Sequence, residues 1–369
     1  MKAQPNQVFV GLSGGVDSAV TLALLQKEAA KLNLQPPKAI FMRNWSKDLP
    51  GFQCPWAEDW YDAQSIALSL GLPIELWDFE KDYKDKVVSY LISEYQAGRT
   101  PNPDLICNQE IKFKVFLDQA LQNGAEQIAT GHYARIHQDS NNVYWLQMAK
   151  DLSKDQSYFL ARISQEALQK TVFPLGDLLK SEVRQLATEL RLPVASKKDS
   201  VGICFVGDIG IADFLKNFIE LSVGPIIDTA TNQQIGTHQG SQLYTIGQRH
   251  GLNLSSNPSG APYYVVAKDT KLNTVYVSSV PNSAELFTKA ITLTDCHLPS
   301  TTLDQALKYN NLSLRTRHLG KLEDIAQVTK TGPKTIQIKL SGEVKSPAPG
   351  QAGVIYTKDG LVLLAGFIA

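Results

Sequence analysis

The sequence predicts an α/β protein: a parallel-sheet domain, a small central domain and a C-terminal β-barrel. Three observations carry this. Strand and helix signals alternate over the first ~200 residues, helical periodicity fades from about residue 222, and six short alternating segments follow residue 285. The expected divisions are residues 1–215, 216–284 and 285–369, and at about 100–200 residues per domain the length of 369 fits two or three domains.

Val8–Leu12 is a short apolar run ending in Gly and Leu before a Ser-Gly-Gly turn, and reads as the first strand. Ala19–Leu32 then has amphipathic helical spacing, Ala39–Asn44 reads as a strand, Trp60–Leu70 as a helix and Ile74–Asp78 as a third strand. Val87–Gln96 and Lys112–Asn123 read as helices, Gln127–Thr130 as a strand, and Gln165–Leu190 as two helices broken by Phe173-Pro174-Leu175-Gly176. Gly224–Lys271 is rich in Gly, Thr, Ser and β-branched residues and reads as a small mixed or β domain. The terminal segments Ala290–Thr294, Leu312–Arg317, Ile325–Thr329, Thr335–Leu340, Ala352–Thr357 and Leu361–Phe367 suggest a closed barrel or sandwich. Ligands of open α/β sheets bind beyond the carboxyl ends of the strands. Ser13–Ser18, Asn44 and Gly131-His132 all follow strands, so one crevice is expected to collect them.

Composition excludes several classes. Thirty-six Lys and Arg balance 36 Asp and Glu, and 43% of residues are hydrophobic, so the chain is neither disordered nor a highly basic nucleic-acid binder. Net neutrality leaves room for a local basic face. Apolar runs such as Leu361–Ala369 fall short of the ~20 residues a membrane span needs. The start of the chain carries no signal-peptide pattern, and the four cysteines contain no C-x-x-C pair. A cytoplasmic monomer with no dedicated protein metal site is expected, in a compartment that keeps thiols reduced.

Ser13-Gly14-Gly15-Val16-Asp17-Ser18 lies between strand and helix. Two glycines allow a tight turn that aims backbone N–H groups at an anion, and the helix N-terminus adds its positive dipole end. Ser13 and Ser18 can donate to phosphate oxygens, whereas Asp17 is out of place beside a polyanion unless it holds Mg²⁺ or caps the helix. The G-K-[ST] ending of a Walker A loop is absent. The loop resembles that of the PP-loop ATPases, which cleave ATP between its α- and β-phosphates.

Cys107 follows Asn102-Pro103-Asp104, where Pro101 and Pro103 predict an extended loop before a helix near Lys112. That places Cys107 near a helix N-terminus, which favours its thiolate, with Asp104 three residues away as a candidate general acid or base. Cys204 lies in a Gly-containing loop after Lys197 and Lys198. Cys54 and Cys296 have no assigned chemistry, and Trp56, Trp60 and Trp77 read as core.

The set Leu12-Ser-Gly-Gly-Val-Asp-Ser18, Met42-Arg-Asn-Trp45, Thr100-Pro-Asn-Pro-Asp-Leu-Ile-Cys-Asn108, Thr130-Gly-His-Tyr-Ala-Arg135, Lys154-Asp-Gln-Ser-Tyr-Phe-Leu160 and Asp199-Ser-Val-Gly-Ile-Cys-Phe205 is similar to the bacterial tRNA-specific 2-thiouridylases. Gly236–Gly240, Tyr244–Arg249 and Gly350–Ala352 extend the match over nearly the whole chain, in the same order. The resemblance implies ATP-dependent sulfuration of C2 of the wobble uridine in tRNAs for Lys, Glu and Gln. It implies ATP binding by Gly11, Leu12, Ser13, Gly14, Gly15, Val16, Asp17 and Ser18, with Met42 and Gly131, and Mg²⁺ accompanying the nucleotide. It implies a persulfide on Cys204, received from a sulfur-relay protein or cysteine desulfurase, and Cys107 as the second catalytic thiol. Asn102, Pro103 and Asp104 would meet the target base, and His132, Lys154, Asp155, Gln156, Arg315, Thr316 and Gln351 the tRNA around its anticodon arm. Attack by the Cys107 thiolate on the persulfide and attack by released hydrosulfide remain alternative routes. Where the family often has Arg-Tyr this chain has Arg315-Thr316, which puts that tRNA contact in doubt. Lys308–Lys339, with seven basic and two acidic residues, offers a face for tRNA phosphates.

Overall fold

The computed structural model describes residues 7–47, 54, 56–199, 210–252, 254, 260–280, 283, 286–345 and 347–369. Cys204 lies outside the described residues.

The first sheet contains β1 (Val8–Gly11), β2 (Lys38–Arg43), β3 (Ile74–Asp78) and β4 (Gln127–Thr130). After a hairpin of β5 (Arg135–Gln138) and β6 (Tyr144–Gln147) it gains β7 (Thr171–Val172). The order is β3-β2-β1-β4-β7, and every pairing is parallel. Side chains alternate across such a sheet. Phe9, Ile40 and Ile128 therefore enter one core, while their neighbours Val10, Phe41 and Ala129 enter the other. The second core holds Val16 and Val20 of α1 (Val16–Leu32), Ile66 of α2 (Trp56–Ser69) and Val183 of the helix Lys180–Glu189. Chain direction across the sheet reverses at β1, with β2 on one side and β4 on the other. Ligands of such sheets bind beyond the carboxyl edge at a switch of this kind, here between β1 and β4.

The expected α/β class with a terminal barrel stands, with three local corrections. The helix containing Cys107 starts nine residues before Lys112. It runs as Pro103–Cys107, a π-type turn Asn108–Val115 and Phe116–Gln122. Asn102 caps it, its side-chain oxygen accepting from the Leu105 N–H at 3.2 Å. Pro103 sits at the first helical position, where a missing N–H costs nothing, so the second proline starts the helix rather than extending a loop. The β5–β6 hairpin had no strong alternating signal. The helix expected at Val87–Gln96 begins earlier, at Glu80, through a π-type turn at Lys84–Val88.

The central sheet, β8 (Gly224–Asp228), β9 (Gln233–His238), β10 (Tyr264–Asp269) and β11 (Thr274–Ser278), is ordered β10-β11-β8-β9 around Ile226, Leu252, Val265, Val275 and Val277. The last six strands, β12 (Phe287–His297), β13 (Ser313–Arg315), β14 (Glu323–Gly332), β15 (Thr335–Lys345), β16 (Ala352–Tyr356) and β17 (Val362–Ile368), close into a barrel. Closure leaves no unpaired sheet edge. Ala352, Val354 and Tyr356 of β16 share one core with Leu105, Ile106 and Leu160 of the first domain. No helix among the described residues is long and apolar enough to cross a membrane.

Candidate active site

The loop between β1 and α1 has the shape of an anion cradle. Gly14 has φ +77°, and a Cβ there would lie 2.5 Å from the Asp59 carbonyl oxygen. Gly15 caps α1 without a side-chain hydrogen bond, so no side chain covers the first-turn N–H groups. Ser18 Oγ donates to the Gly15 carbonyl at 3.0 Å and accepts the Ser13 N–H at 3.2 Å, with Ser13 Oγ also 3.2 Å away. These bonds fold the turn back on the helix. Gly131, just past β4, approaches so closely that a Cβ would sit 2.7 Å from the Ser18 amide nitrogen. Met42 packs over Gly11, its Cε 2.9 Å from where a Cβ would be. The crevice thus collects Gly11–Ser18, Met42 and Gly131. A glycine-lined turn with uncapped N–H groups suits a nucleotide phosphate.

Asp17 is held by contacts that sequence reasoning missed. Lys180 Nζ lies 2.7 and 2.9 Å from its two oxygens, and the Tyr133 hydroxyl donates to it at 2.9 Å. Lys180 also pairs with Asp199 at 2.8 Å, and Asp199 pairs with Lys154 at 2.9 Å and Arg184 at 2.5 Å. Burial opposes the charge on Asp199, but hydrogen bonds from Lys180 and Lys154 outweigh it and hold the carboxyl well below its usual range. Lys197 Nζ pairs with Asp59 at 2.9 Å and Asp62 at 2.7 Å, and reaches the Gly14 carbonyl at 3.3 Å. Among the described residues no group of three or more His, Cys, Asp or Glu could hold a metal ion.

Asp104 and Cys107 are three apart on the helix that starts at Pro103, and so lie on one side of it. Cys107 is buried and Asp104 half-buried. Burial raises the Asp104 carboxyl above its usual value, and the nearby Lys112 charge offsets part of the rise. Asn102 and Pro103 are buried, and the Asn102 side chain is occupied as the cap. Of the Asn-Pro-Asp segment, Asp104 alone has appreciable exposure. Cys54 and Cys296 are buried, and burial pushes the Cys296 thiol up to about 11.

The expected tRNA residues fall into two groups. Lys154, Gln156, Thr316, Gln351 and His132 are half-buried. Gln351 Nε2 donates to the carbonyls of Thr100 and Pro101, both at 3.0 Å, and so props the segment before Asn102. His132 Nδ1 is 2.8 Å from Thr130 Oγ1, and the ring packs near Phe113 and Phe173. Burial drives it well below its ordinary range, with the Lys112 charge adding to the effect. Asp155 and Arg315 are different: both are buried, and they pair with each other at 2.6 Å. Asp155 also accepts from the Ala149 N–H at 3.0 Å and the Ser157 hydroxyl at 2.9 Å. In this arrangement the pair joins the first domain to the barrel and presents no charge to RNA. On the Lys308–Lys339 face, Lys321, Lys330 and Lys334 have carboxylate partners within 4 Å.

Three family models match in order along the chain. They are described as a tRNA methyl transferase HUP domain over residues 6–208, a tRNA methyl transferase PRC-barrel domain over 212–279 and an aminomethyltransferase beta-barrel domain over 288–368. A tRNA-specific 2-thiouridylase MnmA of Neisseria meningitidis serogroup A is 40% identical over 367 residues, 99% of this chain and 96% of that relative. The chain belongs to the tRNA-specific 2-thiouridylase family. Another 2-thiouridylase, from Cupriavidus metallidurans, is 40% identical over 364 residues, 98% of each chain. Among solved structures, a U34-tRNA thiolase NcsA from Methanococcus maripaludis covers 54% of this chain and 62% of its own at 19% identity, with a TM-score of 0.36, too low to carry an argument.

Proposed function

We propose that this 2-thiouridylase replaces the C2 oxygen of the wobble uridine of tRNA with sulfur at the crevice between β1 and β4. The observation that carries the reading is the convergence of the uncapped α1 N-terminus, the Gly14 turn and Gly131 at one strand-end crevice. ATP bound there would lie against Gly11–Ser18, with Met42 and Gly131 beside it, and supplies the adenylyl group that turns a poor leaving oxygen into a good one. First-turn N–H groups of α1 and the Ser13 hydroxyl orient its phosphates, while the Ser18 hydroxyl holds the turn by donating to the Gly15 carbonyl. Mg²⁺ belongs with the nucleotide, since small hard cations are commonly held by phosphate oxygens and water.

Asp104 is suited to holding a proton near the reacting base, because burial raises its carboxyl. Cys107, one helical turn on, is the resolving thiol for a persulfide on Cys204. Sulfur delivery leaves the two cysteines oxidised, and a thiol reductant restores them. The persulfide comes from a sulfur-relay protein or cysteine desulfurase, and the anticodon arm is the tRNA element engaged, with the base drawn from its stack to reach Asp104. His132, Lys154, Gln156, Thr316 and Gln351 border the tRNA path, and Asp155 and Arg315 support it from within.

Mass spectrometry of anticodon nucleosides, after incubation of tRNA with enzyme, ATP, Mg²⁺ and a persulfide donor, tests the proposal. The expected result is one oxygen-to-sulfur exchange at the wobble uridine, lost in Cys107→Ser and in Cys204→Ser. Full turnover by either variant would overturn the two-thiol mechanism.

A further inference from the structure

Asp17 presents a physical problem for the nucleotide reading. It lies in the first turn of α1, beside the N–H groups that would take up phosphate, and a bare carboxylate there would repel a polyanion. The structure answers with Lys180, which is 163 residues away in sequence and belongs to another helix. Its side chain is 13% exposed, and its ammonium lies 5.7 Å from the centre of the Tyr133 ring and meets both Asp17 oxygens. The third contact goes to Asp199, which Lys154 and Arg184 also neutralise. Three cations therefore share the two carboxylates of this network, Asp17 and Asp199. Beside Gly14, Lys197 is matched in turn by Asp59 and Asp62.

We infer that Lys180 is a positioning residue for the ATP polyphosphate: it cancels the charge of Asp17 and makes the loop after β1 selective for a polyanionic nucleotide. The inference rests on the reading of that loop as the ATP site. It deepens that reading by assigning the basis of phosphate selectivity to a residue outside the loop motif. Lys180 acts through Asp17, so its effect scales with the charge of the ligand. A residue that merely held the fold would affect charged and uncharged ligands alike.

Isothermal titration of the full chain with ATP and with adenosine separates the cases. In Lys180→Met, ATP affinity is expected to fall about tenfold or more, the scale of one lost charge interaction. Adenosine affinity should stay within about twofold of the parent, and Lys180→Arg should retain most ATP binding. Removing the uncancelled charge as well, in Asp17→Asn/Lys180→Met, is expected to recover much of the lost ATP affinity. Equal losses for ATP and adenosine, no loss for either, or no recovery in the double variant would each overturn the inference. Failure of the unaltered protein to bind ATP would instead sink the nucleotide-site reading, and the inference with it.

Discussion

His132 is kept neutral by the packing around it. It sits just beyond β4, bonded to Thr130 and flanked by Phe113 and Phe173, and its folded imidazole titrates well below the ordinary 6.5. His238, His297 and His318 are lowered in the same direction, chiefly by burial. Between the ordinary and the lowered value, the unfolded chain binds more protons than the folded one. Stability therefore falls as pH drops through that window and is insensitive to these groups above it. Thermal unfolding should occur at progressively lower temperature as pH is taken from about 7.5 to about 5.5, with a shallower decline in His132→Phe. An unchanged pH slope in that variant would contradict the assignment. This imidazole suits contact with a base edge or ring far better than proton transfer near neutral pH.

The helix from Pro103 to Gln122 owes its start to one side chain. Asn102 accepts from the Leu105 N–H, and Pro103 supplies the φ of a first helical residue. Asn102→Ala should cost about 1 kcal/mol of stability by losing that bond, and should lower thiolation by more than this loss alone, because Asp104 and Cys107 ride on the first turns. Denaturant melts beside a turnover assay check it; unchanged stability would remove the cap from the account. The helical start was missed in the sequence because two closely spaced prolines argue locally for extended backbone, whereas the Asn102 cap and the burial of Leu105, Ile106 and Ile111 in the core that holds Phe116 and Leu160 favour helix. Other elements were legible for an equally local reason. Ile74–Asp78 and Gln127–Thr130 are strands at the residues expected, since both are short apolar runs between turn signals. The glycine turn after β1 was legible from its motif. Its counter-ion Lys180 was not, because no local pattern links two side chains 163 positions apart.

At the scale of the whole molecule, the barrel is bound into the first domain through charge and core together. Arg162 donates to the Asp295 carbonyl at 2.6 Å and pairs with its carboxylate at 2.7 Å. β6 meets the barrel through a bridge between Gln147 and Leu361. Asp155 and Arg315 form a buried pair across the same boundary. Removing one member leaves an uncompensated buried charge, so Arg315→Met should destabilise by about 3–5 kcal/mol, whereas Asp155→Asn/Arg315→Met should lose less. Calorimetry of the two variants decides this, and a near-neutral single variant would show the pair to be dispensable. Asp155 and Arg315 were each expected among the tRNA contacts, but not as partners, because their 160-residue separation closes only when the barrel docks.

Gln351 gives the order of assembly a direction. It supports the backbone at Thr100 and Pro101, while its own loop is pinned by bonds between Gly350 and Ile368 and between Ile368 and Gln351. A ribosome making this chain makes Thr100 251 residues and Pro101 250 residues before it makes the brace beneath them. A nascent first domain therefore emerges with its thiol helix unsupported on that side. The brace is fully pinned only after residue 368 is made.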